Sequence, residues 1–79
     1  MTAVVTVVLH ANLSRYADGR ERVELPFRAG TSVAEYVQQL GIPAHEFYAV
    51  VRCGAVTRDL GEVPADGEVV ELLPVISGG

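Results

Sequence analysis

Glu68-Val69-Val70-Glu71-Leu72-Leu73-Pro74-Val75-Ile76-Ser77-Gly78-Gly79 is the stretch around which the chain is organised. Glu68 to Val75 is almost wholly apolar and lacks the alternation of a half-solvated strand. It predicts a central strand with cover on at least one side. Ile76 to Gly79 is of another kind. Glycine carries no Cβ, so the Gly78-Gly79 end is thin and conformationally free, able to enter a crevice that would reject any side chain. Six extended residues span roughly 20 Å, enough to cross an enzyme wall. At the tip stands a carboxylate, a poor electrophile until something activates it. A Gly-Gly end is also what an idle, frayed terminus looks like, and the rest of the chain has to decide between the two.

The other near-continuous apolar run lies at the opposite end. Thr2 to His10 is dense in β-branched residues and predicts the first strand. Val5, Val7 and Leu9 share one face and Val4, Thr6 and Val8 the other. The two most apolar strands are thus the first and the last, which fits parallel pairing at the centre of one sheet.

Between them the punctuation is regular. Ala11 to Gly19 is a connection with one helical turn, where Leu13 and Tyr16 stand three apart on one side. Arg22 to Pro26 alternates and returns as a hairpin strand, stopped by Pro26. Ser32-Val33-Ala34-Glu35 is a capping box. It opens a helix of two to three turns whose stripe is Val33, Val37 and Leu40, with Tyr36 alongside. Gly41 and Pro43 end it. Ala44 to Glu46 is a turn, Phe47 to Cys53 a third strand, and Gly54 a tight hairpin into Ala55 to Arg58. Asp59 to Ala65 is a loop, and Asp66-Gly67 a turn into the last strand. Strand parity leaves open which way Tyr48, Val50 and Val51 point.

Composition narrows the functions. A chain of 79 residues is one small domain with little room for an enclosed catalytic cavity. The expectation is a protein not catalytic alone, whose chemistry happens in a partner's site. The net charge of −4 disfavours nucleic acid. No run approaches a membrane span and no basic leader precedes an apolar core. The single cysteine excludes a disulfide framework or a cysteine-ligated cluster. No membrane partner, no bound metal or cofactor and a cytoplasmic location are therefore expected. All six basic residues are arginines, so the N-terminus is the only amine. Codon bias is the plain explanation of that.

The order strand, strand, helix, strand, short strand, strand describes a mixed sheet curled round one helix. The predicted class is α+β, a β-grasp (ubiquitin-like) fold of about five strands over residues 1–75, with 76–79 a flexible C-terminal tail. Across nearly its whole length the sequence resembles the ubiquitin-like sulfur carrier family. That family includes the small subunit of molybdopterin synthase and the thiamin-thiazole sulfur carrier. The resemblance rests on Gly30-Thr31-Ser32-Val33, Gly54, Ala65-Asp66-Gly67-Glu68-Val69 and Leu73-Pro74-Val75-Ile76-Ser77-Gly78-Gly79. Ala11-Asn12-Leu13-Ser14-Arg15 is similar to a segment of the molybdopterin synthase subunit that the thiamin-type carrier generally lacks. Leu73, Val75, His10 and Cys53 depart from the family pattern, which more often has an aromatic, a proline, an aromatic and an asparagine there.

The resemblance implies a mechanism. An E1-like adenylyltransferase would use ATP to adenylate the Gly79 carboxylate, and a persulfide sulfur donor would convert it to a thiocarboxylate. The loaded tail would then enter a sulfur-acceptor enzyme, such as the molybdopterin synthase large subunit. Gly79 carries the covalent chemistry, while Gly78, Ser77, Ile76, Val75, Pro74 and Leu73 contact the partner. A ubiquitin-like modifier, joined through Gly79 to lysines of other proteins, is the alternative, as is a thiamin-type or other carrier. A β-grasp regulatory or RNA-associated module with an accidental Gly-Gly end is a third reading, and the acidity disfavours it. Cys53 reads as a turn residue or a persulfide relay. His10 and His45 have no partner at ligand spacing. Glu46, Asp59, Glu62, Asp66 and Glu68 read as a solvated acidic edge or as a dock for a basic partner.

Overall fold

The computed structural model describes residues 3–75. Five strands form one mixed sheet: β1 (Val4–Leu9), β2 (Arg22–Pro26), β3 (Phe47–Arg52), β4 (Ala55–Thr57) and β5 (Val69–Pro74), in the order β2-β1-β5-β3-β4. β1 and β5 lie parallel at the centre, with Val7 opposite Val70 and Leu9 opposite Leu72. Every other pairing is antiparallel. This is the β-grasp arrangement. The two strands without alternation, β1 and β5, each have a neighbour on both sides, as β3 also has.

Helix α1 (Val33–Gln39) crosses one face of the sheet. Its N-terminus leaves no orphan donor. Ser32 Oγ accepts from the Glu35 amide at 3.3 Å, and the Ser32 amide donates to Glu35 Oε1 at 3.5 Å. The Val33 and Ala34 amides donate to the carbonyls of Glu62 and Leu60 at 2.9 and 3.0 Å, so the long loop before β5 completes the cap. Leu40 closes the helix and Gly41, at φ 74°, takes the left-handed position that ends it.

Tyr36 is part of the stripe rather than beside it. It is buried with Val33 and Val37 against Val5, Val7, Leu9, Val50, Val70 and Leu72. Residues three and four apart share a helix face, so a stripe through Val33 and Val37 also takes in position 36. A ring so deeply buried needs a partner for its hydroxyl. The Tyr36 hydroxyl accepts from the Arg28 amide at 3.1 Å and donates to the Arg28 carbonyl at 3.3 Å.

Two connections are more regular than the sequence suggested. Ala11–Ala17 is a 3₁₀ segment that buries Leu13 and Ala17, and Ala44–Glu46 is a second. The third strand ends at Arg52, one residue earlier than expected. Cys53 and Gly54 then form a two-residue turn with φ 49° and 79°. Positive φ at both central residues is the hairpin geometry that matches strand twist, and asparagine or glycine suits it best. Tyr48 falls in a register shift between Phe47 and Ala49. Phe47 and Val50 therefore face the helix, while Ala49 and Val51 face the other side. That bulge is why parity gave no answer there. Among the described residues, no helix is long and apolar enough to cross a membrane.

Candidate functional site

β5 delivers the chain to its last residues, and the point where it leaves the sheet is built from three segments. Leu73 lies opposite Ala49 on the face away from the helix, and Pro74 lies opposite Phe47. Proline has no donor for a ladder and is confined to positions where none is needed. The last β1 partner of β5 is Leu9, opposite Leu72. Successive amides of a strand point to opposite sides. Since the Val75 amide points to β3, that of residue 74 would point to the side where β1 has run out. Pro74 thus costs the ladder nothing. Val75 is half exposed, and its amide donates to the Glu46 carbonyl at 3.0 Å. Of the residues expected to carry function, Leu73, Pro74 and Val75 are placed here. Ile76, Ser77, Gly78 and Gly79 lie outside the described residues.

Glu46 is the hub of this exit. It ends the second 3₁₀ segment, where its own amide donates to the Pro43 carbonyl at 3.1 Å. Its carboxylate, only 18% exposed, accepts from Arg15 Nη2 at 3.0 Å and lies 3.5 Å from His45 Nε2. Arg15 reaches across from the first 3₁₀ segment. It also donates to the Tyr16 hydroxyl at 3.2 Å and holds its guanidinium 5.0 Å from the centre of that ring. The Tyr16 hydroxyl first, and then the Glu46 carboxylate, push the Arg15 pKa above its ordinary value. Neither Arg15 nor Glu46 stands out as a pair in the sequence. They are 31 residues apart, and Glu46 reads there as one member of an acidic edge.

Beside the exit spreads the open face of the sheet. By register it carries Val8, Val51, Val56, Val69 and Leu73 around Glu71. Val56 and Val69 are 64% and 40% exposed. Glu71 accepts from His10 Nε2 at 3.1 Å, so the one acidic residue amid these valines is partnered.

The start of β5 is tied differently. Arg52 grips Glu68 with two nitrogens, Nε to Oε2 and Nη2 to Oε1, the latter at 2.9 Å. Its Nη1 donates to Glu62 Oε1 at 2.8 Å and Nη2 also to the Val63 carbonyl at 3.2 Å. The Ala65 amide donates to Glu68 as well, at 3.0 Å. The guanidinium chiefly, with help from that amide, holds the Glu68 carboxyl below its ordinary 4.5 despite partial burial. The expected acidic edge is thus largely used up inside the molecule. Glu46 serves Arg15, Glu62 and Glu68 serve Arg52, and Asp59 accepts from the Gly61 amide at 2.9 Å. Asp66 remains exposed. Cys53 is exposed in its turn. Among the described residues, no group of three or more His, Cys, Asp or Glu is arranged to hold a metal ion.

The fold has close counterparts. SAMP1 from Haloferax volcanii superposes with a TM-score of 0.75 at 24% identity, over 96% of this chain and 99% of that one. The structure described as H. volcanii small archaeal modifier protein 1 gives 0.74 at 22% identity, over 94% and 99%. At these identities the likeness is one of fold. No curated protein matches the sequence. A family model does match, over residues 7–79, from within β1 through the exit strand to the last glycine. A match of that length takes in the sheet, the helix and the glycine end together, and the chain therefore belongs to the ThiS family.

Proposed function

We propose that the chain is a sulfur carrier whose working group is the carboxylate of Gly79. Its oxygen attacks the α-phosphorus of ATP in an E1-like adenylyltransferase, pyrophosphate leaves, and the terminus becomes an acyl-adenylate. The terminal sulfur of a protein persulfide then attacks the acyl carbon and AMP leaves. A second thiol cleaves the resulting S–S bond, releasing a thiocarboxylate and taking the donor's sulfur into a disulfide. The thiocarboxylate is the nucleophile delivered to the acceptor enzyme, for which the molybdopterin synthase large subunit is our choice. The chain itself contributes shape and presentation. Gly78 and Gly79 give clearance for two different active sites, and Leu73 to Ser77 line the entry. The open face around Glu71, continuous with the exit of β5, offers the activating enzyme an apolar seat.

What supports this reading most is that the family match continues through Ser77 and Gly78 to Gly79. The resemblance of the Ala11–Arg15 segment favours the molybdopterin branch over the thiamin one. A second reading has its own support. One structure of the same fold is described as a small archaeal modifier protein, and a modifier would share the activation step before passing Gly79 to a lysine amine. Having no lysine itself, this chain would make single attachments rather than lysine-linked chains.

The test is the intact mass of the protein, and of its C-terminal peptide, from its native host and from a reaction with ATP, activating enzyme and persulfide donor. Sulfur in place of one oxygen at Gly79 is the expected result. Isopeptide linkage of Gly79 to other proteins would favour the modifier. A bare carboxylate under all conditions would overturn both.

A further inference from the structure

The exit of β5 holds a device the reaction scheme does not call for. Val75 is the last described residue, and its amide is tied to the Glu46 carbonyl at 3.0 Å. That carbonyl belongs to a residue whose side chain is anchored from a third segment, by Arg15 Nη2 at 3.0 Å. Arg15 is itself steadied by the ring and hydroxyl of Tyr16. Glu46 is thus held at both ends, and the backbone that leaves the sheet inherits its orientation.

We propose that Arg15, acting through Glu46, is a positioning residue that sets the direction in which the tail leaves the sheet. It contributes to activation by presenting the tail already aimed. A tail hinged freely at Val75 would have to be oriented on binding, and that ordering would be subtracted from affinity. Held at its root, it enters with part of the ordering done. Because Arg15 acts through Glu46, its loss should weaken capture of the tail more than the chemical step. This functional half rests on the reading given above. The mechanical half does not.

The experiment uses the full chain in four forms: wild type, R15Q, the charge swap R15E/E46R, and R58Q as an exposed control of equal charge change. Amide hydrogen exchange read by NMR reports the hinge. An exposed ion pair supports about a two- to fivefold effect, so R15Q should speed exchange at Val75 by that factor while Val70 and Leu72 stay unchanged. ATP–pyrophosphate exchange with the activating enzyme reports function. KM for R15Q should rise by a similar factor at nearly constant kcat, the mark of lost uniform binding. R58Q should move neither readout, and the swap should restore both.

Unchanged exchange at Val75 in R15Q overturns the brace. Faster exchange with an unaltered KM overturns its role in activation. A raised KM that the swap fails to restore means that Arg15 meets the partner directly, which overturns the route through Glu46. A wild-type protein that supports no pyrophosphate exchange defeats the proposed function, while the Val75 amide still decides the brace.

Discussion

An arginine ties each end of β5, and the two ties are of different kinds. At the start, Arg52 meets Glu68 with two parallel bonds, adds Glu62 and a carbonyl, and leaves Glu68 only 7% exposed. At the exit, Arg15 makes a single bond to Glu46 and is itself 54% exposed. A bidentate, partly buried pair is both strong and costly to break, because the surviving partner stays buried and charged. A single bond to a guanidinium that stands half in solvent adds less. The start of the strand is therefore fastened for the sake of the fold. The exit is fastened lightly, which suits the presentation to other proteins proposed for this segment.

The comparison breaks most visibly at the strong end. Replacing Arg52 by alanine should cost about 2–3 kcal/mol by stranding Glu68, seen in thermal unfolding as a fall in Tm of roughly 10–20 °C. A loss no larger than that of R15Q would mean the two ends are not different in kind. Acid titration tests the same point with a smaller effect. The folded pKa of Glu68 lies below its ordinary 4.5, so its contribution is present above that pH and lost as pH falls through the lowered value. Wild type should lose stability below about pH 4.5 more steeply than E68Q in denaturant melts. A smaller effect again, and of opposite sign, is expected at the turn beside Arg52. Asparagine tolerates the left-handed backbone that Cys53 adopts at φ 49°, so C53N should gain about 0.5–1 kcal/mol in the same melts. Smallest of all, R15Q should lower Tm by no more than a few degrees, in keeping with the roughly two- to fivefold effect expected at the Val75 amide.

What could be read from the sequence follows from how local each cause is. The capping box at Ser32 and Glu35 acts over three residues, and its hydrogen bonds are those the motif demands. The central placing of β1 and β5 follows from apolar runs that make sense only with neighbours on both sides. The orientation of β3 was not legible, because one extra residue at Tyr48 flips the face and nothing in a strand's composition marks a bulge. The arginine ties were illegible for another reason. Arg52, Glu62 and Glu68 come together only when a hairpin and a long loop meet. In the sequence, the same acidic residues look like a solvated edge. Of the candidate site, Leu73 to Val75 stand at the end of β5, and the rest lies outside the described residues. The part that controls their direction, Arg15 and Glu46, is tertiary and carries no motif.

The parallel pairing at the centre has a consequence for how the protein is made. β1 needs β5 beside it, and the His10–Glu71 contact closes a span of 61 residues. Loops of that length are slow to close, and little of the sheet is favourable before they do. On a ribosome β5 emerges after the other four strands. Until it docks, β1 lacks one of its two neighbours and the core lacks Val70 and Leu72. A prematurely terminated chain would therefore lack both its terminal glycines and the centre of its sheet. Such a chain would be an unfolded target for proteolysis rather than a folded decoy for the activating enzyme proposed above.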